Sequence, residues 1–309
     1  MKWRAFISTK WKAALLCLRA TDRRRLTRPT RMTCSKCMTT GTGITHRQDA
    51  FSLIELLVLL AIISTLVALL LPSLTYAKAR ARRLECITRL KQWNMAFRTY
   101  AEDNEGWIAR ECYEPLGEVT MNNWSQVKGR PQPDGMTDSQ DVWYNALPVH
   151  LSQTPTITYA PPPERPRFFD RRHVIHCPSA RFPSHAFRPT YQFPLFSLAM
   201  NSQLIKTGPT IPFNAIEQRD PVRTVTFLDN LLEGETKVHA AQESTHLGQP
   251  GAYANRFGAR HEGGGNLAFA DGHVAWFPGR DVVETSEDSP LVGGPILPPR
   301  DIVWEVYPY

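Results

Sequence analysis

Phe51–Leu71 is a predominantly apolar run of 21 residues, with Glu55 its only charge and no glycine or proline. At about 1.5 Å per residue it matches a hydrocarbon core of about 30 Å. A globular core helix of that length keeps a polar stripe, so a membrane span is expected at 51–72. Pro72 follows, where it kinks a helix rather than ending it. Beyond it the pattern turns amphipathic. Leu74, Ala77, Ala81, Leu84, Ile87, Leu90, Asn94, Phe97 and Tyr100 recur at spacings of three and four, while Lys78, Arg80, Arg82, Arg83, Arg89 and Lys91 fall on other faces. That predicts one buried stripe on a helix continuing over 73–105. Asp103, Asn104 and Gly106 supply the turn chemistry to end it, so residues 52–102 form a single helix of about 75 Å in this reading.

From residue 106 to 309 short runs alternate with Pro, Gly and Asn, including the proline-rich 159–169 and 289–300. Strand candidates are Val174–His176, Thr224–Leu228, Leu267–Ala270 and His273–Phe277. An antiparallel sheet packed on the distal half of the helix, an α+β fold, follows from that order. Asp271-Gly272 between two alternating runs predicts a two-residue hairpin. Pairing Ala270 with His273 sets Phe269 opposite Val274 and Leu267 opposite Trp276, with all four large side chains on one face.

The charge of +7 suggests a nucleic-acid or membrane-surface partner, but its distribution changes that. Residues 1–50 hold 12 of the 36 Lys/Arg and two of the 29 Asp/Glu, leaving 24 basic against 27 acidic groups in the rest. The basicity belongs to a leader, and no nucleic-acid partner is expected. Met38 offers an internal start, with 1–37 then an artefact of start-site choice or an unstructured extension. Cys34 and Cys37 form a lone CxxC without a second pair at zinc-ligand spacing. Cys86, Cys112 and Cys177 downstream allow one internal disulfide in an exported domain. Basic residues on both sides of the apolar run leave its orientation open.

"AFSLIELLVLLAIISTLVALLLP" resembles the cleavage and methylation motif of type IV prepilins and type II secretion pseudopilins: a small residue, an aromatic, a glutamate four residues on, an apolar run and a proline. Ala50, Phe51, Glu55 and Pro72 fill those places; Ala50 departs from the usual glycine. His261, nine residues and Asp271-Gly272 are similar to the H-X9-DG signature of a bacterial family of prepilin-like proteins. The fragments at 86–107, 176–180 and 220–230 resemble the same family. The resemblance implies a pilin-like fold and cleavage after Ala50 by a prepilin peptidase that methylates Phe51. It implies a single pass through the bacterial inner membrane, with the C-terminal domain periplasmic or extracellular. Other pilin or pseudopilin subunits and membrane lipid are then the partners, and the role is structural rather than enzymatic. Glu55 in this reading pairs with a neighbour's new amine. The alternative is a membrane-anchored exported binding protein or enzyme that borrows the leader. The family-like fragments also imply a Cys86–Cys177 disulfide.

His261, Asp271 and His273, with Glu262 and Asp229, are of metal-ligating type. No HExxH, nucleophile elbow or second carboxylate at fixed spacing accompanies them. The simpler expectation is that Asp271 serves the turn and His261 bonds backbone across the glycine loop. No cofactor is required; calcium is the candidate ion implied by the pseudopilin resemblance. Its candidate ligands are Asp229, Glu233, His261 and Asp271, although the loop 229–235 lacks EF-hand spacing. The scattered Trp107, Trp124, Trp143, Trp276 and Trp304 read as core and contact residues rather than a sugar-binding surface.

Overall fold

A computed structural model describes residues 52–110, 123–128, 130–131, 137–138, 142–204, 212–217, 219–297 and 301–305. Ala50, Phe51 and the leader lie outside the described residues, as does Cys112. The chain divides into two compact units, 1–59 and 60–309.

The long helix α1 spans Leu53–Asp103 with Pro72 inside it. It contains a stretch long and apolar enough to cross a membrane. Ser52 through Arg82 are exposed throughout, and burial begins at Cys86. The expected stripe is therefore shorter than its periodicity: Leu74 and Leu84 face outward, while Cys86, Arg89, Leu90, Trp93, Asn94, Ala96, Phe97 and Ala101 are buried. Arg89 was expected on an outer face. It is buried because its guanidinium donates to the carbonyls of His173 (2.9 Å) and His176 and to the Glu85 carboxylate. The helix stops where Glu105 and Gly106 take positive φ and Gly106 N–H donates to Ala101 C=O at 2.7 Å.

Two strands, β1 (Arg130–Pro131) and β2 (Thr137–Asp138), form a small ribbon, and helix α2 (Trp143–His150) follows. The main sheet comprises β3 (Leu198–Asn201), β4 (Val225–Asp229), β5 (Gly251–Ala252), β6 (Gly264–Phe269) and β7 (Val274–Pro278), in the order β5-β3-β4-β6-β7. The fold is α+β, but the sheet is mixed: β5 runs parallel to β3, with Met200 beside Gly251, where an antiparallel sheet was expected. Val174–His176 is a run of turns rather than a strand. Arg89 and Trp93 Nε1 (2.8 Å to Val174 C=O) consume carbonyls that a sheet neighbour would need.

Both faces of the sheet are covered. Leu90, Trp93 and Phe97 of α1 pack with Trp143, Phe196, Leu198, Met200, Phe227 and Ala268 on one face. Val225, Leu228, Leu267 and Phe269 pack with Phe257, Val282, Ile302 and Trp304 on the other. Asn94 ties the helix to the sheet, donating to Phe269 C=O and accepting from Thr226 Oγ1 at 2.8 Å.

This double burial explains a register difference in the hairpin. Leu267 pairs with Ala275 and Ala268 with Val274, one residue away from the expected pairing. Phe269 N–H donates to His273 C=O (3.0 Å), so Ala270-Asp271-Gly272 form a three-residue loop with Gly272 at φ +101°. Ala270 and Asp271 give their N–H groups to Thr224 C=O and Pro221 C=O instead of the ladder. With apolar groups welcome on both faces, alternation alone does not select between the two registers.

Candidate functional site

Four chain segments converge beneath α1. Cys86 comes from the first buried turn of the helix. Cys177 comes from the turn after His176 and is held by its N–H donating to Ser197 Oγ (2.6 Å). Asp229 ends β4 on the face of Phe227, and His261 precedes the glycine run that opens β6. One ligand atom from each of the four lies within 4.8 Å of every other, and all four residues are buried. The Cys86 thiol lies 3.2 Å from Asp229 Oδ1, and Cys177 Sγ lies 3.2 Å from His261 Nε2. His261 Nε2 is 3.6 Å from Asp229 Oδ2.

The glycines at 264 and 265 let the His261 segment approach. A Cβ on Gly265 would stand 2.4 Å from Gly258 C=O, and one on Gly264 2.2 Å from Phe277 C=O. Trp276 Nε1 donates to His261 C=O at 2.9 Å and fixes the ring's starting point. Asp229 Oδ2 accepts from both Asn266 N–H and Asn266 Nδ2, each at 2.8 Å. Arg260 lies 3.5 Å from Asp229 Oδ1 and 2.7 Å from Glu235 Oε2, and donates to Asn230 C=O. A buried carboxylate is costly unless it is hydrogen-bonded, and these contacts offset that cost; the Oδ1 position that meets the Cys86 thiol opens when that proton leaves.

The electrostatics divide the two sulfurs. Burial pushes the Cys86 thiol well up, as do its hydrogen bond to Cys177 and the Asp229 charge. Burial also raises Cys177, but the hydrogen bonds from Cys86 and His261 and the Arg260 charge overcome it and bring that thiol down to about 5. His261 is lowered by burial and raised more by Asp229 and Cys177, so it titrates above its ordinary value. Burial opposes the charge on Arg260, yet Glu235, Cys177 and Asp229 together push its pKa up. The surroundings thus favour the proton on Cys86, the thiolate form of Cys177 and the charged form of His261.

The Cys177–His261 contact resembles a nucleophile and its base, but the third member is misplaced. In a catalytic triad the carboxylate holds the ring nitrogen remote from the nucleophile. Here Asp229 and Cys177 both approach Nε2, and all three residues are buried. Atoms converging on one point in this way suit ligation of an ion.

The residues singled out from sequence separate. His261 and Asp229 meet in the cluster. The His261 ring reaches Cys177 rather than backbone, while its own N–H and C=O pair with Gly264. Asp271 stays at the exposed hairpin loop, where Oδ1 accepts from His273 N–H (3.0 Å) and contacts His273 Nδ1 (2.6 Å). Glu233 is exposed and outside the cluster, and Glu262 pairs with Arg83 at 3.3 Å. Cys86 and Cys177, expected to be bonded to each other, are adjacent free thiols. Trp124, Trp143 and Trp304 are buried; Trp107 is exposed. Sequence reasoning passed over Arg260 and Asn266, which orient Asp229; the signal was a carboxylate ending a largely apolar strand.

A cleft of about 820 Å³ adjoins the cluster. Arg260 and His261 form part of its wall, with Arg82, Arg83, Arg181 and Lys237. No family model, no curated protein and no solved structure matches the chain.

Proposed function

We propose that this chain is a prepilin-like membrane subunit. It is cleaved after Ala50 on the cytoplasmic side of a bacterial inner membrane, N-methylated on Phe51, and assembled through its N-terminal helix into a type IV pilus or type II secretion pseudopilus. The observation that carries the reading is a helix whose first part is apolar and wholly exposed, with Glu55 as the single acidic group of its first turn. Leucines and isoleucines on every side of a helix suit lipid, or identical helices bundled side by side, better than water. The distal part of the same helix packs on an α+β domain, as a pilin-like subunit requires. The prepilin peptidase, sister subunits and membrane lipid are the partners.

N-terminal mass spectrometry of the mature protein tests this directly. A chain beginning at N-methyl-Phe51 is the expected result; chains retaining Met38 or Met1 sink the proposal. A second reading, an exported binding protein anchored by the same helix, draws on the cleft beside Arg260 and His261. In that case the processed chain remains monomeric in the membrane.

A further inference from the structure

We propose that Cys86, Cys177, Asp229 and His261 form a structural zinc site. Zinc is held tetrahedrally at about 2.3 Å by sulfur and about 2.0–2.2 Å by imidazole and carboxylate, which sets ligand atoms about 3.3–3.8 Å apart. Two of the separations between cluster members, 3.2 Å each, are slightly shorter than that spacing and the third, 3.6 Å, falls within it; Asp229 meets Cys86 through Oδ1 and His261 through Oδ2. Two sulfurs, one nitrogen and one oxygen form a soft-to-borderline donor set. Calcium takes six to eight oxygens, and the cluster does not offer them.

The surroundings are those of a built site. Asn266 holds the carboxylate with two hydrogen bonds and Ser197 holds the Cys177 backbone. Arg260 sets a positive charge beside Asp229, which offsets the negative charge of the set once a metal displaces the Cys86 proton. Such outer contacts orient ligands and tune affinity. The adjoining cleft, walled in part by His261, gives an ion its route in. The four ligands tie α1, the 176–180 turn, β4 and β6 together, so zinc stabilises the domain by fixing the helix to the sheet. Every ligand lies within 60–309, so the site stands apart from how the apolar segment is used.

The test uses full-length protein in detergent with its thiols reduced, titrated with Co²⁺ and then Zn²⁺. The Cys34→Ser/Cys37→Ser double variant removes the CxxC as a competing ligand. That variant is expected to bind one Co²⁺ per chain, with the intense visible bands of a tetrahedral site and a thiolate charge-transfer band, and to exchange it for Zn²⁺. Adding Cys177→Ser or His261→Gln is expected to weaken binding at least tenfold, and Asn266→Ala to weaken it by about tenfold. The double-variant spectrum requires no ligand variant to fold, so a misfolded ligand variant leaves the test intact. A double variant that binds no Co²⁺ while Cys86 and Cys177 react as free thiols overturns the site. So does a Cys86–Cys177 cross-linked peptide in protein alkylated at harvest and mapped without reductant.

Discussion

The two stretches of α1 invert the usual link between apolar sequence and burial. From Leu53 to Leu71 nearly every residue is apolar and every one is exposed. From Cys86 to Ala101 the helix carries arginine, asparagine, cysteine and tryptophan, and these are among its buried residues. The first stretch presents apolar surface that nothing covers among the described residues. The second has partners in its own chain, and each buried polar group is answered: Arg89 by two carbonyls, Trp93 by Val174, Asn94 by Phe269 and Thr226, Cys86 by Asp229. Burial follows the supply of partners, and the polar ones place the chemistry of the cluster.

The largest expected effect comes from exchanging equivalent deletions between the two stretches. Trp93 lies edge-on to Trp143 at 5.1 Å and beside Phe227, so Trp93→Ala should cost about 3–5 kcal/mol of domain stability. Leu60→Ala, from the exposed stretch, should stay within about 0.5 kcal/mol. Urea unfolding of both variants in detergent, followed by far-UV circular dichroism, measures the difference. Equal costs would mean that the apolar stretch packs inside the folded unit.

A smaller effect sharpens the same contrast through pH. His176, whose carbonyl accepts from Arg89, is buried against Phe168, Phe169 and Phe182. Burial depresses its imidazole from an ordinary value near 6.5 to about 3. The unfolded chain therefore takes up this proton first. The stability involved is complete above about pH 6.5 and is lost as pH falls toward 3, by up to about 1.36 kcal/mol per pH unit. His176→Leu should flatten the acid limb between pH 6 and 4 relative to the parent. Parallel limbs in the two proteins would show that His176 is not held neutral.

The helix was the most legible part of the sequence because its signals are local: the uniform run, the period of three to four, and the Asp-Asn-Glu-Gly stop. The sheet was legible only in part. Val225–Asp229 and the hairpin strands announced themselves, whereas Leu198–Asn201 and Gly251–Ala252 are too short to show a period. The hairpin register slipped because the apolar residues Leu267, Ala268 and Phe269 are buried on both faces. The cluster was nearly invisible, since Cys86, Cys177, Asp229 and His261 come from segments far apart in the chain. No spacing rule joins them; the topology of β4 beneath the helix does.

Glu55 carries a small stability effect and the sharpest distinction. The resemblance implies an assembly role, in which the carboxylate pairs with a neighbour's new amine. The structure gives it a second use: Ser52 N–H donates to Glu55 Oε2 at 3.3 Å, and Leu56 N–H to Ser52 C=O at 3.1 Å. Ser-x-x-Glu at a helix start is the capping-box pattern, and an acid in the first turn also suits the helix dipole. Glu55 thus has a local role whether or not a neighbour's amine reaches it. Glutamine separates the two roles, because it keeps an oxygen acceptor at the same place and loses the charge. If capping is all, Glu55→Gln should match the parent, and Glu55→Ala should loosen the helix start by about 0.5–1 kcal/mol. If the carboxylate also pairs with the processed amine of Phe51 on a sister subunit, both variants should insert normally and both should fail to co-assemble with native subunits. Cross-linking of neighbouring subunits in membranes reads the outcome, and a glutamine variant that assembles at the parental level leaves Glu55 only its cap.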